Sequence, residues 1–527
     1  MRFTKHFAAK RTPQNKKIPN SDQTANNAGG FAWELDPWKL LDRFLILGTE
    51  GGTFYVGESA LTVQQAGNAL DLIKTQGVQV VERVVEVSKS GRAPKNDPAI
   101  FALALASAFG DTETRQAAFA SLSSVCRTGT HLFQFVAEAE QLRGWGRGMR
   151  KAIGNWYAKA DVDDLTYQVL KYQQRGGWSH RDLLRLAHPV PPSEGHKTVF
   201  KWTVDGVLAG ANEKIEAFEE LKSLAESEPD VARAAKLIRD HKLARESVPT
   251  GLLNKAEIWD ALLQDMPLTA LLRNLANMTR CGLLTPSSTA TMQVIEKLGN
   301  ETLLRRARIH PLSVLLAHAT YSQGRGFRGS NEWIPVPRIV DALDGAFYGA
   351  FGSSEPTEKD FVLGIDVSGS MSSHTVAGSP LSACEAATAM AMVTMAAERS
   401  VLPMAFADNF KPLPLTPKMR LTEALKHTRN VNFGGTDCAL PMVWALKNKI
   451  RADAFVVYTD NETWYGKIHP AQALREYREK MGVAARLIVV GMCANKFSIA
   501  DPKDPGMLDV VGFDASVPQA MAQFIKG

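Results

Sequence analysis

Asp366, Ser368 and Ser370 stand at alternate positions in Asp366-Val367-Ser368-Gly369-Ser370-Met371, one carboxylate and two hydroxyls spaced by two. Hard oxygen donors of this kind suit a divalent cation, Mg2+ first, with Ca2+ or Mn2+ as alternatives. Two later segments carry matching groups. Asn432-Phe433-Gly434-Gly435-Thr436-Asp437 offers a hydroxyl and a carboxylate, and Ala454-Phe455-Val456-Val457-Tyr458-Thr459-Asp460 ends in a carboxylate. Taken alone, the first spacing also fits a Ser/Gly-rich strand-to-helix turn. Asp437 fits a helix N-cap better than a ligand.

Those side chains converge only if the elements before them lie side by side. The apolar run Phe361-Val362-Leu363-Gly364-Ile365 reads as a buried parallel strand. After it the pattern predicts helix 383–399, strand 401–407, helices 419–429 and 437–449, strand 454–460, helix 470–481, strand 485–491 and helix 517–526. This order is a doubly wound parallel sheet over residues 358–527, whose ligands sit at the carboxyl ends of the strands. Gly352-Ser353-Ser354-Glu355-Pro356 breaks helices and marks the boundary before it.

The five residues Asp366, Ser368, Ser370, Thr436 and Asp460 resemble the metal-ion-dependent adhesion site of von Willebrand factor A domains. The resemblance implies that the two Ser and the Thr bind the ion directly. The two Asp act directly or through water, and an open position accepts an acidic oxygen from a partner protein.

Residues 31–357 read differently. Amphipathic helical runs recur near 62–75, 113–124, 131–142, 163–174, 212–224, 229–242, 267–281, 286–298 and 311–322, and Asp97-Pro98 opens another helix with Asp97 as its cap. Helices of this length on short loops suggest stacked pairs in an α-solenoid, although no clean sequence repeat is present. The fold class is therefore α plus α/β. His310 and His318 read as core or capping residues, and Met390, Met392 and Met395 as packing against the sheet.

The chain has 527 residues and a net charge of +6, unevenly spread. Residues 141–188 hold nine basic against four acidic side chains, 269–328 eight against two, and 211–260 eight against eleven. Residues 1–30 hold six basic side chains and one acid, with few large apolar residues. That stretch is expected to be a flexible or surface-draped arm, either without a role or touching RNA. Five scattered Cys with no C-x-x-C pair disfavour zinc and disulfide frameworks. With no long apolar run and no secretory leader pattern, a cytoplasmic protein with no membrane contact is expected.

Within the basic region, Lys171 to Pro189 is predicted to form two short helices around Gly176-Gly177, with Lys171 and Arg175 on one face. Ser179 and Asp182 form a capping box, and Arg181, Arg185 and His188 follow at helical spacing. Cations with Trp178 or His available for stacking suit a phosphate backbone. This passage closely resembles the TROVE module of Ro ribonucleoproteins. So do Gly144-Trp145-Gly146-Arg147-Gly148-Met149-Arg150-Lys151-Ala152-Ile153, Met266 to Leu275, Arg308-Ile309-His310-Pro311 and Thr459-Asp460-Asn461-Glu462-Thr463-Trp464.

The resemblance implies a HEAT-like helical ring closed by the A domain and acting as a monomer. It implies small noncoding Y RNA on the outer surface, and single-stranded 3′ ends of misfolded RNA in the cavity. It further implies RNA quality control, stress recovery and, in bacteria, an exoribonuclease linked through the RNA. Carried over by motif, Lys171, Arg175 and His188 are the expected Y-RNA contacts, joined by Arg147, Arg150, Lys151, Arg181 and Arg185. Charge alone adds Arg273 and Arg308 to the cavity, and Gly324-Arg325-Gly326-Phe327-Arg328-Gly329 reads as an RG segment or a flexible loop. A protein-docking scaffold built on the metal site is the alternative function. A metal-dependent nuclease or phosphatase ranks last, because no general base is placed beside Asp366.

Overall fold

The computed structural model describes residues 11–50, 52–224, 230–326, 330–352, 355–429 and 434–527. Expectations resting on Arg2, Lys5, Lys10, residues 327–329, Ser353, Ser354, Asn432 and Phe433 lie outside the described residues.

Helices fill the region from Pro37 to Phe351. The longest, Glu58–Ser90, extends well beyond the expected 62–75, because Gln76 bends the helix (φ −143°) without ending it. At that bend Gly77 lies against Thr114, where a Cβ would come within 2.2 Å of the Thr hydroxyl. Asp97–Phe109 has Pro98 in its first turn as expected, but Asn96 holds the cap position and Asp97 is already helical.

The stretch from 163 to 180 needs a larger correction. The helix Val162–Lys171 stops at Lys171, and Gln174–Arg175 pairs with Trp178–Ser179 as a minimal antiparallel hairpin. Gly176 and Gly177 both take positive φ, 58° and 83°, the geometry that closes a two-residue hairpin with the natural strand twist. Arg175 therefore stands on the hairpin and shares no helix face with Lys171.

Packing passes from helix to neighbouring helix and then returns on itself. His310, capping Pro311–Ser322, donates from Nε2 to the Arg92 carbonyl at 3.0 Å, 218 positions away. The same nitrogen donates to the Phe513 carbonyl at 2.8 Å, so both ends of the helical module and the C-terminal domain meet on one imidazole. Beside it Arg92 pairs with Asp514 at 2.7 Å. Farther along, Asp344 of the helix Pro337–Phe351 accepts the Leu421 N–H at 3.1 Å, and Arg420 pairs with Asp341 at 2.6 Å. The helical circuit is thus closed through the C-terminal domain.

That joint is sensitive to acid. Nδ1 of His310 accepts the Leu312 N–H at 3.1 Å while Nε2 donates, so the ring is neutral with both nitrogens in use. Burial, only partly offset by the two carbonyls and Asp514, pulls its pKa down from 6.5 to about 4. Between those values the unfolded chain takes up a proton that the folded chain refuses, so stability falls as pH falls. His131 and His318, at about 4, and His180, at about 3, act in the same direction. Buried carboxylates act the other way, Asp366, Glu138 and Glu462 being raised to about 7 and Asp437 to about 6, so the net profile is a balance of the two sets. The share of His310, on the order of 3 kcal/mol, is expected to appear as a gain in urea midpoint of His310→Gln relative to the parent chain as pH falls from 6.5 to 4.

The C-terminal domain is a six-stranded sheet in the order Met507–Val511, Arg486–Gly491, Ala454–Thr459, Asp360–Asp366, Ser400–Phe406, Phe410–Pro412. The first five strands run parallel and the last is antiparallel. The two edge strands and the short helix Gly369–Ser373 had no counterpart in the sequence reading. Helices Ala383–Ala397 and Pro470–Met481 cover the sheet.

Over its described residues the expected flexible arm is built into this domain. The backbone N–H of Gln14 donates to Gly466 O at 2.8 Å, and its buried amide donates to Ile468 O at 2.8 Å and Asp437 at 2.7 Å. The Asn26 amide donates to Thr463 O, and Phe31–Glu34 pairs antiparallel with Phe497–Ser498. Short polar side chains with no apolar pattern resemble disorder in sequence. Here they satisfy loop carbonyls that would otherwise be buried without partners.

Candidate metal centre and nucleic-acid face

Asp366 ends a central strand flanked by parallel neighbours on both sides, which puts its carboxylate at the carboxyl edge of the sheet. One oxygen accepts the Ser368 N–H at 2.9 Å, and the other accepts the Thr459 hydroxyl at 2.7 Å. The Ser368 and Ser370 hydroxyls lie 3.2 Å apart. The Thr436 carbonyl takes N–H bonds from Trp464 and Tyr465, both at 3.1 Å, clamping its loop to the one that follows Asp460. Asn495 donates to the Asp460 carbonyl at 2.5 Å and fixes that turn. All five side chains are buried.

Burial first, and Asp460 second, raise the Asp366 pKa far above the carboxylate range. Two buried carboxylates repelling each other near the Ser368 and Ser370 hydroxyls fit a hard divalent cation, whose charge would relieve the repulsion, while Thr436 is tied to the Asp460 turn through its backbone carbonyl. Among the described residues no group of three or more His, Cys, Asp or Glu is placed to hold a metal.

Several neighbours were not foreseen. Thr459 orients Asp366. Glu462 takes the Asn27 amide at 2.7 Å, the Asn27 N–H at 2.8 Å and the Asn495 amide at 3.1 Å, so it anchors the N-terminal segment. Tyr55, from the helical module, hydrogen-bonds Ser370, and burial followed by Asp460 and Glu462 pushes its pKa up to about 12. Nothing in the sequence ties Tyr55 to residues more than three hundred positions away. Asp437 accepts the Ala439 N–H at 3.0 Å and the Gln14 amide, a capping and anchoring role.

A second cluster lies on the helical module. Arg147, Arg150 and Lys151 stand exposed on the first turns of Arg147–Ala158. Arg181 and Arg185 are exposed four residues apart on His180–Ala187, whose Ser179–Asp182 capping box is formed as expected. His188 is exposed at the end of that helix in the left-handed region (φ 47°). Arg175 projects from the hairpin. Among the described residues none of the six Arg and Lys forms an ion pair. By contrast Lys222, Arg233, Lys236, Arg239 and Lys242 each meet a carboxylate.

Lys171 is half-buried. Its Nζ donates to the Tyr167 hydroxyl at 2.9 Å and lies 5.1 and 5.3 Å from the Tyr167 and Tyr172 ring centroids. Its cation is held by aromatic faces and kept charged. His180 is buried against Phe133 and bonded to the Tyr157 hydroxyl at 2.7 Å, so it is a core residue with no base to stack on. Trp178 packs 5.8 Å from Trp145. Arg273, exposed, lines a cleft of about 390 Å³ with Lys95 where Leu312–Thr320 faces Ala377–Pro380. Arg308, also exposed, sits beside Gly91 at the closure of the circuit. No helix among the described residues is long and apolar enough to cross a membrane.

Comparison with known proteins covers both modules. Residues 24–243 and 229–320 match the TROVE domain, and residues 360–525 match the Ro60 vWA domain. The chain is 44% identical over 519 residues to "RNA-binding protein RO60" of Deinococcus radiodurans, covering 98% of this chain and 97% of that protein. It is 36% identical over 600 residues to the Caenorhabditis elegans protein of the same name, covering 98% and 92%. The crystal structure of the Deinococcus radiodurans RO (RSR) protein superposes with a TM-score of 0.70 at 44% identity, covering 93% of this chain and all of that one.

Proposed function

Since the chain belongs to the Ro60 family, joining a TROVE module to a Ro60-type von Willebrand A domain, we propose that it is an RNA-binding ring protein without catalytic activity. Small noncoding Y RNA lies across the face formed by residues 147–188. Single-stranded 3′ ends of misfolded RNA enter the cavity, and the complex serves RNA quality control and stress recovery in the cytoplasm. The Y RNA links it to an exoribonuclease.

The observation that carries this reading is the exposed set Arg147, Arg150, Lys151, Arg175, Arg181 and Arg185, none of which forms an ion pair among the described residues. Cations left without carboxylates on one face of a folded protein retain their full attraction for phosphates. Sequencing RNA that co-purifies with the chain is the test. A homogeneous small hairpin RNA supports the reading, and its absence across growth and stress conditions overturns it.

The A domain holds Mg2+ through Asp366, Ser368, Ser370, Thr436 and Asp460 in this proposal, and the ion's open position takes an acidic oxygen from a partner protein. A hydrolase is disfavoured because Glu462, the nearby carboxylate, is occupied by Asn27 and Asn495. Mg2+ at a hundredfold over its Kd is expected to add about 2.7 kcal/mol to stability, read as a rise in Tm. Asp366→Ala is expected to abolish that rise while leaving hairpin RNA binding intact. A Tm that ignores Mg2+ in the parent chain would remove the metal from the proposal.

A further inference from the structure

A recess of about 490 Å³ opens beside the RNA face, between the helices Thr112–Ala120 and Gly129–Arg143 and the start of Arg147–Ala158. Three arginines line it, Arg115, Arg143 and Arg147, with Gln116 and the rings of Phe119 and Trp145, and no carboxylate belongs to its lining. Arg143 is steadied by a 2.7 Å bond to the Ala108 carbonyl. Arg147 forms no ion pair among the described residues. Arg115 is half-buried and lies near enough to Asp111 to help lower its pKa, after the Thr114 N–H and hydroxyl.

The helix N-terminus adds to this positive lining. Gly146 caps the helix Arg147–Ala158 without a side chain and its first turn holds no acid, so no side chain satisfies its leading N–H groups, and Gly148 and Met149 of that turn line the recess. Two other recesses of this module are lined partly by acids, Asp205 and Glu219 in one and Glu246 and Asp265 in the other, and the cleft of Arg273 and Lys95 holds two cations against three here.

Resting on the RNA-binding reading above, we propose that this recess binds the terminal nucleotide of an RNA strand through a phosphomonoester. An internal phosphodiester carries one negative charge, and a single arginine fork satisfies it. Three guanidiniums and a helix N-terminus suit the greater charge of a terminal phosphate. The attached base packs on Trp145 and Phe119, where stacking tolerates any base.

The test uses the full chain and one hairpin RNA in three forms: 5′-phosphate, 3′-phosphate and hydroxyl at both ends. The expected result is at least tenfold tighter binding of one phosphorylated form than of the hydroxyl form, and the preferred form identifies the end. AMP, which carries the same monoester, is expected to compete with that form only. Arg115→Ala is expected to erase the preference while the hydroxyl form binds as before. Trp145→Phe, which keeps the packing against Trp178, is expected to reduce the preference by a few fold. Equal affinity for all three forms overturns the proposal, as does a preference that survives Arg115→Ala. Tight binding of AMP with no preference among the RNAs also overturns it and assigns the recess to a free nucleotide. Failure of every form to bind would instead refute the RNA-binding reading itself.

Discussion

A chain carrying Arg147→Ala, Arg181→Ala and Arg185→Ala is expected to bind its hairpin RNA about 100-fold more weakly at 0.15 M salt, roughly 1 kcal/mol per exposed contact after screening. The diagnostic quantity is the slope of log affinity against log salt. Each lost phosphate contact makes that slope shallower by about one, so the triple variant is expected to lose about three. The effect should be uniform across RNA sequences, because phosphates carry no sequence information. The side chains are exposed and make no ion pair among the described residues, so the fold should not suffer. The matching control is Lys222→Ala, Arg233→Ala and Lys236→Ala, which removes three cations already committed to Glu219, Glu220 and Asp240. If both triples flatten the slope equally, the affinity comes from net charge and not from this face.

Arg43→Ala should be the most damaging single change to the assembly of the two modules. Arg43 lies on the first helix, Pro37–Leu47, yet its side chain is fully buried in the C-terminal domain. Nη1 donates to Asn495 O at 3.0 Å, the Asn495 side chain at 2.9 Å and Phe497 O at 2.9 Å. Nη2 grips both oxygens of Asp509 at 2.9 and 2.8 Å. Truncation leaves Asp509 buried beside Ser498 without its counter-charge, and breaking such a pair costs about 3–5 kcal/mol. Arg43→Lys retains the charge but loses the fork and most of these bonds. The double variant Arg43→Met with Asp509→Leu should recover much of the loss, because it removes both charges together. Chemical unfolding of the three variants settles it. A double variant as unstable as Arg43→Ala would show that the bonds to Asn495 and Phe497 matter more than the ion pair.

What could be read from the chain in advance follows a physical rule. The two carboxylates of the candidate metal site, Asp366 and Asp460, were placed at the sheet edge from sequence because each stands at the end of an apolar strand, where local pattern fixes both element and edge. Asp366 and Asp460 needed no long-range knowledge beyond strand adjacency. The Arg181–Arg185 face was legible for the same reason, since the Ser179–Asp182 box sets where that helix starts. Arg175 was misplaced because helical spacing was extended through Gly176-Gly177, and paired glycines turned the chain into a hairpin instead. Arg43, Gln14, Asn26 and Tyr55 were invisible. Each acts on a partner hundreds of positions away, and a buried polar side chain announces itself only through the group it satisfies. The charge count in 141–188 could not show which cations were free. Only the contrast with the paired residues of 213–242 does that.

The N-terminal segment also sets an order of events in the making of the protein. Phe31–Glu34 leaves the ribosome long before its partner Phe497–Ser498, with the whole helical module translated between them. His310 likewise waits for the Phe513 carbonyl. At about 5–20 residues per second the helical module spends on the order of tens of seconds translated but unlocked. During that interval the helical module lacks the contacts through the C-terminal domain that close its circuit. Closure is therefore a late latch, set only once residues far along the chain have been made.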